Sequence, residues 1–144
     1  LVAAQKGYRL TIVVPDKMAQ EKIFHLKALG ADVRLTRSDV GKGHPDYYQD
    51  VAQRIADETG AFYVNQFGNK ANPDAHERIT GPEIWGQMGH DMHAMIAGVG
   101  SGGTITGLSR FFERAAPHVE MILADPKGSI LTEYINEGTL SEKS

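Results

Sequence analysis

Gly98-Val99-Gly100-Ser101-Gly102-Gly103-Thr104 is the stretch on which the fold turns. On its N-terminal side, Ala94 to Val99 is a short apolar run that reads as a strand. On its C-terminal side, Thr104 to about Ala115 places Ile105, Leu108 and Phe112 on one helical face. Strand, glycine-rich turn and amphipathic helix, in that order, form one arm of a parallel α/β sheet. Residues without Cβ let several backbone N–H groups turn toward one point, and the helix start adds partial positive charge, so the turn suits a phosphate or a carboxylate. The Ser101 and Thr104 hydroxyls add two further donors. Four glycines among residues 98–103 exceed what a tight turn needs.

Moving outward, the same alternation recurs. Tyr8 to Val14 is a β-branched run stopped by Pro15 and predicts a buried strand. Asp16 can cap a helix that carries Ala19, Ile23 and Leu26 on one face and ends at Gly30, and Ala31 to Thr36 is the second strand. Ser38 to Pro45 is a loop. Tyr48, Val51, Ala52, Ile55 and Ala56 mark the clearest amphipathic helix, closed by Gly60, and Ala61 to Phe67 is the third expected strand. Asn72 followed by Pro73 predicts a helix start, and Gly81-Pro82 predicts a break and restart through Trp85 and Met88. Val119 to Ala124 is the fifth strand, and the glycine-punctuated tail ends in Leu140-Ser141-Glu142-Lys143-Ser144, expected to fray. The opening Leu1 to Gly7 reads as the second half of a helix closing on glycine, so the chain is expected to be an internal fragment of something longer.

Composition bounds the chemistry. The chain has 144 residues, a net charge of −3 and no cysteine. It therefore has no bulk basicity for nucleic acid or anionic membrane, and no disulfide, zinc-thiolate or thiol-nucleophile chemistry. A hydrophobic share of 41% with 23% charged residues describes a folded chain, and no apolar run is long enough to span a bilayer. A cytoplasmic setting is expected.

Other candidates carry less. Gly98, Gly100 and Gly103 satisfy G-x-G-x-x-G, with Asp125 at the end of the next strand where a dinucleotide fold places its ribose-binding acid, so a dinucleotide-binding module is one reading. Gln66, at the carboxyl end of an expected strand, offers an amide to a substrate carboxylate or is a surface amide. His90 and His93, and His76 before Glu77, lack a third ligand, so no metal site is expected. Asp46, Asp50, Arg54 and Glu58 read as the wet face of a helix, and Trp85 as a core anchor. There is no Ser-His-Asp order and no convincing acid pair, hence no catalytic residue to name.

Taken together, Ala71-Asn72-Pro73, His76-Glu77, Thr80-Gly81-Pro82-Glu83-Ile84-Trp85 and Gly98 through Gly107 resemble the pyridoxal-phosphate enzymes of the tryptophan synthase β-subunit fold. More narrowly, they resemble the cystathionine β-synthase and cysteine synthase group. Asp125-Pro126-Lys127-Gly128-Ser129-Ile130-Leu131 leans toward cystathionine β-synthase. The resemblance implies a three-layer parallel sheet with helices on both faces, lacking its first elements, over residues 1–72. It implies a strand-helix-strand portion of a larger cofactor-binding domain over 73–144. It implies pyridoxal 5'-phosphate as cofactor, with Gly100, Ser101, Gly102, Gly103 and Thr104 holding the phosphate and Gln66 contacting the carboxylate of a small amino-acid substrate. It demotes Asp125 to a strand-end residue. The reaction implied is β-replacement on serine or a related amino acid by a thiol, in a homodimer or a self-associating fragment. The family's lysine segment, Ser-x-Lys-Asp-Arg, and its asparagine loop have no counterpart here, and Lys70 stands where the family has a small residue or proline. The chain alone is therefore expected to be inactive.

Overall fold

A computed structural model describes residues 1–138, so the tail Leu140 to Ser144 lies outside the described residues. The chain divides into two compact units, the first Leu1–Asn65 and the second beginning at Gln66. The division falls earlier than Asn72, the boundary that the sequence predicts.

In the first unit, helix α1 (Val2–Gln5) precedes β1 (Thr11–Pro15), α2 (Gln20–Ala28), β2 (Asp32–Thr36) and α3 (Tyr48–Thr59). β1 and β2 pair in parallel, from Thr11 opposite Asp32 to Pro15 opposite Thr36, as β-branched strands joined by a helical crossover should. Val14, Ile23 and Ala56 are the buried apolar residues of this unit. Asp16 does not cap α2: its N–H extends the ladder to the Thr36 carbonyl at 2.8 Å, and Ala19 takes the cap position with no side-chain bond. α3 ends where expected, on Gly60 in the left-handed conformation at φ 69°. The third strand does not form. Residues 61–65 enter no ladder, Phe62 is 83% exposed and Val64 59% exposed, and residues 66–68 make a turn. β-propensity becomes a strand only against a partner, and among the described residues the two ladders are β1–β2 and one in the second unit.

The second unit opens with three helical segments in direct succession: α4 (Ala71–Ala75), a π-helical turn (His76–Thr80) and α5 (Gly81–Gln87). The predicted break at Gly81-Pro82 is absent, because Thr80 and Gly81 both keep helical dihedrals. Pro82 has no N–H to give to the carbonyl four residues back, and the turn ahead of it widens instead, with the Gly81 N–H reaching the His76 carbonyl five residues away. Strand β3 (Ala94–Ala97), helix α6 (Gly103–Ala115) and strand β4 (Glu120–Leu123) follow, the strands parallel with Ala94 opposite Glu120 and Ala97 opposite Leu123. Helix α7 (Leu131–Glu137) lies in the stretch that the sequence reads only as glycine-punctuated tail.

Met92, Leu108, Phe112, Ala116 and Val119 form the core of this unit. Trp85 packs against it as expected, edge-on to Phe112 with ring centroids 5.9 Å apart. Glycines set how closely α6 lies on the α4-to-α5 rod. A Cβ at Gly107 would overlap the Pro73 carbonyl oxygen and stand 2.6 Å from His76 Cβ and 2.8 Å from the Glu77 nitrogen. One at Gly81 would stand 2.6 Å from the Phe111 ring.

Gly107→Ala is therefore expected to destabilise the chain by about 3 kcal/mol, since two of the atoms in the way are backbone and cannot swing aside. Gly86, also helical but with open space around its missing Cβ, should gain about 0.5 kcal/mol on conversion to Ala. Urea unfolding of the two variants measures both, and equal effects would contradict the packing described.

Candidate functional site

Helix α6 begins without a side-chain cap. Gly102, at φ 83° and ψ −12°, is the residue ahead of it, and the ladder starts with the Thr106 N–H on the Gly102 carbonyl at 3.1 Å. The first-turn N–H groups thus have no intrahelical acceptor and, among the described residues, no side-chain capping oxygen. They face a hollow of about 40 Å³ lined by Gly98, Val99, Gly100, Ser101, Gly102, Gly103, Thr104 and Ile105. All five residues that the sequence assigns to phosphate binding line it. Gly102 is glycine because its φ lies where a side chain is strained, and Gly103 because a Cβ would run into the Asn72 side chain. Backbone donors, two hydroxyls and a helix N-terminus with no acid among them form a cup whose chemistry suits an anion.

Asn72 braces that cup from below. Its Nδ2 donates to the Gln66 carbonyl at 3.0 Å and to Ser101 Oγ at 3.1 Å. Because Ser101 Oγ accepts there, its own O–H is left to donate to an anion. The sequence presents Asn72 as a helix cap; the helix instead starts after Lys70, and the Asn72 amide reaches across to a loop 29 residues on. Nothing local in the sequence signals that. Beside the cup lies a larger hollow of about 180 Å³, lined by Gln66 through Lys70, Asn72, Pro73, Ser101, Gly102, Gly103 and Thr106. Gln66 sits exposed on a turn at its edge rather than at the end of a strand, and Lys70 is its one charged lining residue.

His76, by sequence a solvated or packing histidine, stands behind the cup. Its Nε2 lies 3.2 Å from Thr104 Oγ1 and its Nδ1 lies 3.0 Å from Thr80 Oγ1. Glu77 pairs with Arg114 at 2.6 Å and with Arg110 at 3.8 Å, tying the π-helical turn to α6. His90 and His118 rest against the Trp85 ring, at 5.3 and 6.1 Å. Among the described residues no group of His, Cys, Asp and Glu could hold a metal ion, and no helix is long and apolar enough to cross a membrane.

Asp125 is committed elsewhere than to a ribose. Its Oδ2 accepts the Thr132 N–H at 3.0 Å and the Thr132 hydroxyl at 2.7 Å, serving the first turn of α7 where Ile130 at the cap position offers no acceptor. Hydrogen bonds from Thr132, and secondarily Ser129, pull its pKa below the ordinary carboxylate range. The spacing that suggests a dinucleotide is met, but the acid it needs is a helix-start residue.

The family model for pyridoxal-phosphate dependent enzymes matches residues 1–143. Cystathionine beta-synthase of Apis mellifera is 39% identical over 132 residues, 91% of this chain and 26% of that protein. Cysteine synthase 1 of Emericella nidulans is 40% identical over 139 residues, 95% of this chain and 37% of that protein. The crystal structure of O-ureido-L-serine synthase superposes with a TM-score of 0.83 at 27% identity, over 98% of this chain and 43% of that one. The chain thus spans between about a quarter and two fifths of the length of these relatives.

The depressed Asp125 carboxyl implies an acid-sensitive contribution. A group whose pKa is lower folded than unfolded adds stability above its unfolded pKa and loses it as pH falls through the folded value. Thr132→Val should therefore lower stability at neutral pH and leave it unchanged at strongly acidic pH, where Asp125 is protonated in both states. Urea midpoints across the acid range test this, and a loss of equal size at all pH values would show that the contact does not act through ionisation.

Proposed function

The chain belongs to the pyridoxal-phosphate dependent enzymes, and we propose that it carries the phosphate-holding and substrate-facing part of a β-replacement enzyme of the cystathionine β-synthase type. The uncapped start of α6 supports this most directly: first-turn donors without a side-chain cap, beside a Gly103 whose missing Cβ leaves room for the Asn72 side chain. The N–H groups of Gly100, Gly102, Gly103 and Thr104, with the hydroxyls of Ser101 and Thr104, would hold the three phosphate oxygens. When bound, the cofactor supplies an electron sink for chemistry at the amino-acid α-carbon. Gln66, beside the larger hollow, would donate its side-chain amide to the substrate carboxylate, and the Lys70 ammonium would favour anionic ligands there. The substrate pair would be serine or a related amino acid and a thiol, giving a thioether amino acid. Self-association and a cytoplasmic setting belong to the same proposal.

This chain by itself would not turn over. Every described lysine is exposed, and none stands in the Ser-x-Lys-Asp-Arg context of the family. Binding and catalysis therefore separate in the test. Pyridoxal 5'-phosphate should raise the melting temperature, as a ligand at about one hundred times its Kd adds about 2.7 kcal/mol. Pyridoxal without its phosphate should not. Ser101→Ala should weaken binding about tenfold, the cost of one hydrogen bond to a charged group. Borohydride treatment should leave no lysine of the chain covalently labelled. Equal stabilisation by pyridoxal, or a labelled lysine, would contradict the assignment of the cup or of inactivity respectively.

A further inference from the structure

We propose that His76 is a positioning residue for the cup: held in the Nε2–H tautomer by Thr80, it donates to Thr104 Oγ1 and turns the Thr104 proton toward the hollow. The inference rests on the phosphate-cup reading for its purpose, but its geometry stands apart from that reading. Three observations carry it.

First, the ring touches both hydroxyls, with Thr80 Oγ1 3.0 Å from Nδ1 and Thr104 Oγ1 3.2 Å from Nε2. A neutral imidazole has one donor and one acceptor nitrogen, so the two contacts must run in the same sense along the chain of three side chains. Second, the π-helical turn decides the sense. A helical threonine usually gives its proton to a carbonyl four residues back, as Thr59 does to the Ile55 carbonyl at 2.6 Å. Thr80 makes no such bond among the described residues, and the His76 carbonyl that would take it receives the Gly81 N–H of the widened turn. With Nδ1 as acceptor, the Thr80 proton has a partner; with Nδ1 as donor, it has none among the described residues. Nε2 then carries the ring proton, Thr104 Oγ1 accepts it, and the Thr104 O–H is free for an anion. The opposite tautomer would draw the Thr104 proton back onto the ring and remove a donor from the cup. Third, the root of the ring is fixed, because Gly107 brings α6 against His76 Cβ and the Glu77 nitrogen. A π-turn placed to begin at His76 and end at Thr80 agrees with the use of such turns at functional positions.

The tautomer is readable without any ligand. Long-range proton–nitrogen correlation spectra of the chain, under conditions where the ring is neutral, should show His76 protonated on Nε2, and protonation on Nδ1 would overturn the proposal outright. Thr80→Val, which leaves the ring and its packing in place, should admit the Nδ1–H form. Titration with inorganic phosphate supplies the second readout. Thr104→Val and His76→Phe should each weaken phosphate binding about tenfold, and the double variant no more than Thr104→Val alone. Further weakening in the double variant would show His76 acting on the anion by another route and overturn the positioning role. An Nε2–H ring in a chain that binds no phosphate would sink the phosphate cup of the proposed function while upholding the relay itself.

Discussion

The approach of α6 to the α4-to-α5 rod is the constraint from which the site follows. Gly103 and Gly107 sit four residues apart on one face of α6, and neither has room for a Cβ. With side chains at those positions the two helical segments would stand further apart, and the Asn72 amide could not lie under the glycine loop. At the distance the glycines allow, Asn72 reaches Ser101, His76 reaches Thr104, and Glu77 reaches Arg114. The cup is thus built on one helix start and braced by side chains of another helical segment. This is how a loop of flexible glycines comes to present its donors in a fixed direction. The burial of Leu108 and Phe112, on the same helix, holds the contact closed.

Within this arrangement the hydroxyls of the cup are not equivalent. Ser101 Oγ has an unambiguous donor in the Asn72 amide, so its own proton is available. Thr104 Oγ1 has a partner whose polarity depends on the state of a ring. The π-helical turn joins the two facts: the missing N–H of Pro82 opens the helix at the residues that flank the imidazole on its other side. A proline that the sequence presents as a helix breaker acts here as a device for spacing side chains.

Much of this was legible from particular residues. The glycine cluster between an apolar strand and an amphipathic helix pointed to the start of α6, and the five residues proposed from it all line the small hollow there. The closure of α3 on Gly60 and the parallel pairing of both strand pairs followed from local patterns. Misses came where a residue's partner is distant. Ala61 to Phe67 has strand composition but no ladder, Asp16 extends a sheet instead of capping a helix, and Asn72 serves a loop instead of its own helix. α7 went unseen because its first-turn acceptor is Asp125, outside the helix and five residues before the cap position.

The amino-acid sequence by itself determined the class of the protein: the composition of a folded chain, α/β alternation, a glycine-rich strand-to-helix turn, and motifs specific enough to name a family. These depend on periodicity and on residues next to one another in the chain. Tertiary structure alone decided what holds the turn in shape and which side chains meet its two hydroxyls. Those outcomes depend on contacts between residues about thirty positions apart, Asn72 with Ser101 and His76 with Thr104. No local propensity encodes such a contact, because it exists only once two helices without intervening Cβ atoms have packed together.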